Sequence, residues 1–329
     1  MKLIVQIPCL NEEDTLPQTI RDIPRRIAGI EDVELLVVDD CSTDRTAEVA
    51  RALGVHHIVR NKRHLGLAQS FRCGLDAALR AGADIVVNTD GDNQYAGADI
   101  PKLIAPILEG TADIVIGDRQ TMQIPHFSRT KKFLQWAGSA AVRRLANASI
   151  PDAVCGFRAI SREAAIQLNI VSSFSYTTEM LIQAGRRRLA MASVPIRTNP
   201  TTRPSRLFQS SLYFVLISLS TMIRTYAMYQ PLRMFCYVAT ILAIIGLAPM
   251  LRFLYFFYSG EGSGHIQSLV LGSSALIMGF VTYLMGLIAD LIAVNRKLLE
   301  TTLYRVNRLE LEGQSEASPQ HSAHSPSVD

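Results

Sequence analysis

The chain has 329 residues, a formal charge of +4 at pH 7 and 48% hydrophobic residues, with a mean hydropathy of +0.18. That charge is too small to argue for a nucleic-acid partner; it suits a basic face toward phosphates or an anionic bilayer. The five cysteines (Cys9, Cys41, Cys73, Cys155, Cys236) form no CxxC pair, which argues against a disulfide framework or a zinc site.

The length allows one large domain or two ordinary ones. Met1 to Leu10 holds a polar break and a proline, so no signal peptide is expected. Lys2 to Pro8 reads as a first strand, which Pro8 should end because it has no N–H for a ladder. Glu12 and Glu13 follow, and acidic residues at a helix start already suit the helix dipole. Leu16, Ile20, Ile23 and Ile27 predict a helix from Thr15 to Ile27, shortened or bent by Pro17 and Pro24. Val33 to Val38 is a near-continuous apolar strand of the kind buried between two helical layers. It ends in Asp39 and Asp40, adjacent carboxylates at a strand edge where ligands bind in open α/β sheets. Asp44 reads as the N-cap of a helix from Arg45 to Leu53.

A third strand, Gly54 to Val59, leads to a basic loop from Arg60 to Ala68 and a helix ending at Ala81. The loop's cations suit phosphate, although a solvated loop explains them as well. His56, His57 and His64 lack metal-ligand spacing and read as surface or structural. The fourth strand, Asp84 to Val87, runs into Asn88-Thr89-Asp90-Gly91-Asp92-Asn93-Gln94. Alternate side chains at a strand end share a face, so Asp90 and Asp92 can converge. Gly91 would let a ligand approach the backbone. Two hard oxygen ligands suit Mg²⁺ or Mn²⁺, which complete their shell with substrate phosphates, and Gln94 can add a third oxygen. D-G is also a common turn pair, so a solvated turn stays open on these residues alone.

Strands alternating with helices predict a parallel sheet covered on both faces. Ala98 to Leu108 reads as a helix and Asp113 to Gly117 as a strand ending at Asp118-Arg119. An arginine at that edge can reach a diphosphate. Thr121 to Ser128 reads as a loop and Lys131 to Ala146 as a helix with Trp136 packing. Asp152 to Arg158 then breaks the helical pattern with a carboxylate, a glycine and an arginine. Helices are expected at Arg162 to Leu168 and Thr177 to Ala184, where Glu179 looks like an ordinary helix glutamate, and a strand at Met191 to Ile196. Asn199 to Arg206 is irregular, holds Arg203 and Arg206, and reads as a loop that can close over phosphates.

Composition changes at about Leu207. The stretch 208–230 reads as an interfacial amphipathic helix. Two long apolar runs follow, 231–258 and 267–294, each above the ~20 residues needed to cross a bilayer. Their short connection has no Lys or Arg, whereas Arg224, Arg233, Arg296 and Lys297 flank the outer ends. The positive-inside rule then predicts a multi-pass protein of the plasma membrane with both termini cytoplasmic. Residues 296–313 read as a charged juxtamembrane helix, and 314–329 as a disordered tail.

Taken together, these residues resemble family 2 glycosyltransferases of the polyprenyl-phosphate branch, the dolichol- and undecaprenyl-phosphate sugar synthases. The match runs from Ile4 to about Leu207. It rests on Ile7-Pro8-Cys9-Leu10-Asn11-Glu12-Glu13, Val38-Asp39-Asp40-Cys41-Ser42-Thr43-Asp44, Asp90-Gly91-Asp92-Asn93-Gln94, Asp152 through Gly156-Phe157-Arg158, and the Arg203/Ser205/Arg206 loop. The resemblance implies an α/β GT-A fold, a Rossmann-like and mostly parallel catalytic domain over 1–207, followed by a two-span α-helical transmembrane hairpin within 231–295. It implies that Pro8, Leu10, Glu12 and Asp39 hold the base and ribose of a nucleotide sugar. Asp90, Gly91, Asp92 and Gln94 would then hold Mg²⁺ or Mn²⁺ and the donor diphosphate. Arg119 and Arg203 would meet donor or acceptor phosphates, with Ser205 and Arg206 beside the latter. Asp152 falls where the family places a carboxylate near the acceptor, making it and Asp92 the candidate catalytic residues. Two departures stand out: Leu10 replaces the usual aromatic, and the last loop reads Arg-Pro-Ser-Arg in place of a longer Gly/Ser/Lys form.

The implied reaction is inverting transfer of a sugar from a UDP- or GDP-sugar to a polyprenyl phosphate. That acceptor is already anionic, so positioning matters more than a strong base. A processive polysaccharide synthase would carry Gln-x-x-Arg-Trp, but the single tryptophan, Trp136, follows Gln135 with no arginine before it. An oxidoreductase would need G-x-G-x-x-G after the first strand, which is missing. A catalytically silent nucleotide-sugar binder stays open, as does assembly into a homo-oligomer.

Overall fold

The computed structural model describes residues 1–120, 150–170, 176–199, 230–260 and 266–317, with the isolated positions 140, 143, 226 and 227. The chain divides into two compact units, Met1–Val215 with Tyr304–Asp329, and Leu216–Leu303.

The first unit is built on a seven-stranded sheet. Its strands are β1 (Lys2–Cys9), β2 (Asp32–Asp39), β3 (His57–Arg60), β4 (Ile85–Asn88), β5 (Ile114–Asp118), β6 (Arg158–Ser161) and β7 (Met191–Pro195). The spatial order is β3-β2-β1-β4-β6-β5-β7. β1 pairs in parallel with β2 and β4, and β2 with β3. Leu3, Ile4, Val5 and Ile7 of β1 are fully buried, as are Leu35 to Val38 of β2 and Ile85 to Val87 of β4. Such runs, apolar on both faces, are what a sheet between helical layers needs. The helices are α1 (Leu16–Asp22), α2 (Thr46–Ala52), α3 (Leu67–Arg80), α4 (Ile100–Leu108), α5 (Arg162–Gln167) and α6 (Tyr176–Arg187). α3 lies tight on the sheet. A Cβ on its Gly74 would come within 2.7 Å of Gln6 Oε1 and 2.9 Å of Val38 Cγ2.

Several expectations need correction. The sheet is mostly parallel but mixed: β6, given no strand in the sequence reading, is antiparallel to both β4 and β5. Pro8 does not end β1, which continues to Cys9 opposite Asp39. Pairing with β4 stops at Gln6, so Pro8 lies where the strand has one partner and a missing donor is tolerated. α1 is shorter than the spacing suggested, because Ile23 before Pro24 is extended. The stretch 98–108 opens as a 3₁₀ turn, Gly97–Asp99, before α4. The readings at Thr121 to Ser128, at 131–146 with Trp136, and at Arg203, Ser205 and Arg206 lie outside the described residues, as does nearly all of 208–230.

β1 to β3 step outward on one side, and the chain then crosses to β4 on the other. Ligands bind at such a switch point, outside the carboxyl ends of the strands. Here those ends carry Cys9 to Glu12 and Asn88 to Gln94.

In the second unit, α7 (Pro231–Tyr258) pairs with α8, which runs unbroken from Ile266 to Ala317. The second apolar run and the charged stretch after it are therefore one helix. Gly272, Gly279 and Gly286 of α8 recur every seven residues and face α7. A Cβ at these positions would come within 2.7 Å of Gly246 O, 3.2 Å of Ala239 O and 2.7 Å of Phe235 Cβ. The close backbone approach follows from those glycines. Mean hydropathy reaches 2.2 in α7 and 2.1 in α8, while only 6% and 11% of the most apolar windows are buried. Ile241, Ile244, Leu271, Ile288 and Leu291 are all more than half exposed. Core helices of a water-soluble domain would hide these faces.

Candidate functional site

Two loops at the switch point are knitted together by side chains of Ser42, Thr43, Asp44 and Thr46. Asn11 N–H donates to Ser42 Oγ (3.0 Å), Glu12 N–H to Thr46 Oγ1 (2.8 Å) and Glu13 N–H to Asp44 Oδ2 (3.1 Å). Asn11 Oδ1 accepts from Thr43 N–H (2.8 Å). Asn11 and Cys41 take left-handed φ values of 57° and 65°, which the cross-links hold in place. Asp44, one residue before the N-cap Arg45, accepts from Thr46 N–H at Oδ1 (2.9 Å) and so holds the first turn of α2 while tying in the first loop. Pro8 and Glu12 are buried here, and Leu10 is half-buried.

The adjacent carboxylates Asp39 and Asp40 have separate tasks. Asp40 accepts from Leu65 N–H (2.9 Å), Gly66 N–H (2.8 Å) and Asn61 Nδ2 (2.7 Å), with His64 Nδ1 at 2.9 Å. Burial works against the charge, but these hydrogen bonds outweigh it and hold the Asp40 carboxyl below its usual range. Asp40 thus folds the basic loop. Asp39 is fully buried and, among the described residues, accepts only from Ser42 N–H at Oδ1 (2.9 Å). Arg60 Nε lies 3.1 Å from Asp39 Oδ2 without hydrogen-bond alignment. That oxygen keeps accepting capacity for a polar ligand.

β4 delivers the acidic turn. Asp90 is half-buried, and loss of solvent first, then the charge of Asp92, push its carboxyl up to about 7, against the pull of Arg119 and a hydrogen bond with Tyr95. Asp92 Oδ1 accepts from Gln94 N–H (3.0 Å), closing a turn in which Asn93 has φ 56°. A carboxyl held up by a neighbouring carboxylate's charge fits a divalent cation. Among the described residues no three His, Cys, Asp or Glu side chains cluster around a metal position. Such a cation would rest on Asp90, Asp92, the Gln94 carboxamide and substrate oxygens, the mixed shell usual for Mg²⁺. At Gly91 a Cβ would meet Cys9 Sγ at 2.9 Å and Glu12 Cγ at 3.2 Å. The missing side chain therefore admits the first loop.

Asp152, 2% exposed, accepts from Arg119 Nε (2.6 Å) and Nη2 (3.0 Å) in a bidentate pair. Arg119, expected at a phosphate, and Asp152, expected near the acceptor, are thus bonded to each other. The loop after Asp152 is pressed onto the acidic turn. Gly156 N–H donates to Tyr95 Oη (3.1 Å), and a Cβ on Gly156 would sit 3.1 Å from Asp90 Oδ2. From below, Asn88 Nδ2 donates to Gly156 O (2.9 Å), and Asn88 Oδ1 accepts from Gln6 Nε2 (2.9 Å). Arg158 is fully buried and donates to Cys155 O, Ala153 O and Thr177 O at 2.7, 2.7 and 2.9 Å. Burial lowers its pKa. Three carbonyls and no carboxylate mark Arg158 as scaffold for the loop that carries Asp152.

Tyr95, Asn88 and Arg158 were not singled out from the sequence as site-builders. Asn88 had a signal, a polar residue inside an apolar strand. Tyr95 had only its place after Gln94.

The Glycosyl transferase family 2 model matches residues 4–168. The chain is 27% identical over 206 residues to undecaprenyl-phosphate mannosyltransferase of Micrococcus luteus, covering 60% of this chain and 83% of the relative. It is 32% identical over 198 residues to dolichyl-phosphate hexose transferase of Haloferax volcanii, covering 59% and 81%. Among solved structures it resembles glucosyl-3-phosphoglycerate synthase of Mycobacterium tuberculosis in complex with Mn²⁺, UDP-glucose and phosphoglyceric acid. The TM-score is 0.53 and the identity 25%, covering 67% of this chain and 79% of the other. The fold is GT-A. With the family's motifs gathered at the switch point of that sheet, the chain belongs to glycosyl transferase family 2 and is a glycosyltransferase.

Proposed function

We propose that this protein transfers a hexose or N-acetylhexosamine from a UDP- or GDP-sugar to a polyprenyl phosphate at the cytoplasmic face of the plasma membrane, with inversion. The observation that carries this reading is the acidic turn Asp90–Gln94 packed against the loop that follows Asp152, whose carboxylate pairs with Arg119, in a chain that also holds two exposed apolar helices. The names of the relatives support a lipid-phosphate acceptor. In this reading 1–207 is catalytic, 208–230 lies at the interface, 231–295 crosses the membrane twice, and 296–313 and 314–329 return to the cytoplasm.

A phosphate oxygen of the acceptor attacks the anomeric carbon while the bond to the nucleoside diphosphate breaks, its electron pair leaving on the diphosphate. Asp90, Asp92 and Gln94 would hold Mg²⁺ or Mn²⁺, whose chemistry when bound is to neutralise the leaving diphosphate. Asp39 receives polar hydrogens of the nucleoside, beside Pro8, Leu10 and Glu12. Arg119 supplies fixed positive charge, and its bidentate grip orients Asp152 toward the acceptor or sugar. Arg203, Ser205 and Arg206 complete the phosphate contacts. An acceptor that is already an anion needs placement more than deprotonation.

The test is nucleoside-diphosphate release by the full-length protein in detergent, across UDP- and GDP-sugars, with and without polyprenyl phosphate and Mg²⁺ or Mn²⁺. Release should need both lipid phosphate and cation, and Asp92→Asn should lower it ~10²–10³-fold, the scale for losing one charge-stabilising group. Donor binding without release under any lipid would replace the enzyme by a binder. Release driven by phosphoglyceric acid would move the acceptor to a soluble phosphate.

A further inference from the structure

The chain beyond β7 does not leave the sheet freely. Ala96 N–H donates to Arg197 O (3.2 Å), Tyr95 bridges Thr198, and Asn199 N–H donates to Gln94 O (2.9 Å). Asn199 Nδ2 adds a bond to Asn93 O (3.0 Å). The far end of this zipper is fixed by Asp99. Its buried carboxylate accepts from Arg197 N–H (2.8 Å) and Arg197 Nη2 (2.9 Å), with Lys102 Nζ at 3.0 Å. Residues 196–199 therefore form a splint along 93–97, sharing no sequence neighbourhood with it.

The splint ends on two peptides that matter. Asn93 is in the left-handed region at φ 56°, which costs a residue other than glycine ~1 kcal/mol. Its side chain is buried, and its Oδ1 has no partner among the described residues. The conformation is thus not secured through that oxygen of the Asn93 carboxamide. Instead the Asn93 and Gln94 carbonyls both accept from Asn199, while the Gln94 N–H donates to Asp92 Oδ1.

We propose that Asn199 is a positioning residue for the cation: by gripping both carbonyls of the Asn93–Gln94 turn it sets the Asp92 carboxylate and the Gln94 carboxamide where a divalent ion is received. This rests on the metal-dependent reading above. An outer partner of this kind commonly carries 10–100-fold in metal affinity.

The experiment is Mn²⁺ binding to the full-length protein in detergent with UDP present, followed by the electron paramagnetic resonance of free Mn²⁺, alongside UDP affinity without metal and the Tm. Asn199→Ala should weaken Mn²⁺ binding ~10-fold while metal-free UDP affinity stays within twofold. Asn199→Asp keeps the shape but turns an oxygen toward Asn93 O, and should weaken Mn²⁺ binding at least as much; it carries the test if the alanine variant does not accumulate. Ser193→Ala removes a bond from β7 to Ile116 O, away from the turn, and should leave Mn²⁺ affinity unchanged. A purely structural Asn199 would lower the Tm with Mn²⁺ affinity intact, which overturns the assignment. Failure of the unaltered protein to bind Mn²⁺ with UDP would overturn the metal reading and this assignment with it.

Discussion

Asp90 combines loss of solvent with a neighbouring like charge, and its carboxyl stands at about 7 instead of the usual carboxylate range. The sign of the linkage follows. The folded, metal-free protein favours the protonated acid, so its stability falls as pH rises from about 4 through about 7. A cation has to displace that proton. Mn²⁺ affinity should therefore drop ~tenfold for each pH unit below 7 and level off above it. The stabilisation by Mn²⁺ with UDP, read as a Tm shift, should grow between pH 6 and 8; a flat profile would mean that Asp90 does not meet the ion. Asp40 shows the opposite outcome for the same side chain, because two backbone N–H groups and an amide hold its charge in place. The sequence presents Asp39 and Asp40 as a matched pair. Only the folded loop, with Leu65 and Gly66 brought back to Asp40, separates an internal anchor from a candidate nucleoside contact.

At the scale of elements, the long apolar strands and their acidic ends were legible, since period and composition are local. Strand β6 was not. Arg158-Ala-Ile-Ser is four residues long and opens on an arginine; what makes it a strand is pairing with two partners distant in sequence. The continuity of α8 was missed for a different reason. A change from apolar to charged residues near Asn295 marks a change of surroundings, while nothing between Val294 and Glu312 is glycine or proline to end a helix. The heptad of glycines along α8 is visible in the sequence only once α7 is known to face it. Gly272→Leu should drive the helices apart, because even a Cβ there comes within 2.7 Å of Gly246 O. The expected cost is ~1–3 kcal/mol of hairpin stability, read as a lower Tm of the full-length protein in detergent. Gly313→Ala, with open space around it, should instead be stabilising by a few tenths to ~1 kcal/mol.

For the whole molecule, the order β3-β2-β1-β4 places the crevice, and motif spacing alone located its two lips. How the loop after Asp152 reaches the acidic turn was hidden, because it depends on β6 threading back between β4 and β5. That threading also sets a timetable for synthesis. When Asp118 has emerged from the ribosome, β4 is paired on one edge only, and β5 has neither of its partners. Both are apolar and present open edges, the situation that invites wrong pairing. Ribosome-bound chains arrested with residues 1–120 outside the tunnel should be cut by protease within β4 and β5. Chains arrested with 1–199 outside should resist. Until Ser161 arrives, the strand that carries the acidic turn is a half-built edge, so a nascent chain can bear every residue of that turn and still be unable to hold a cation.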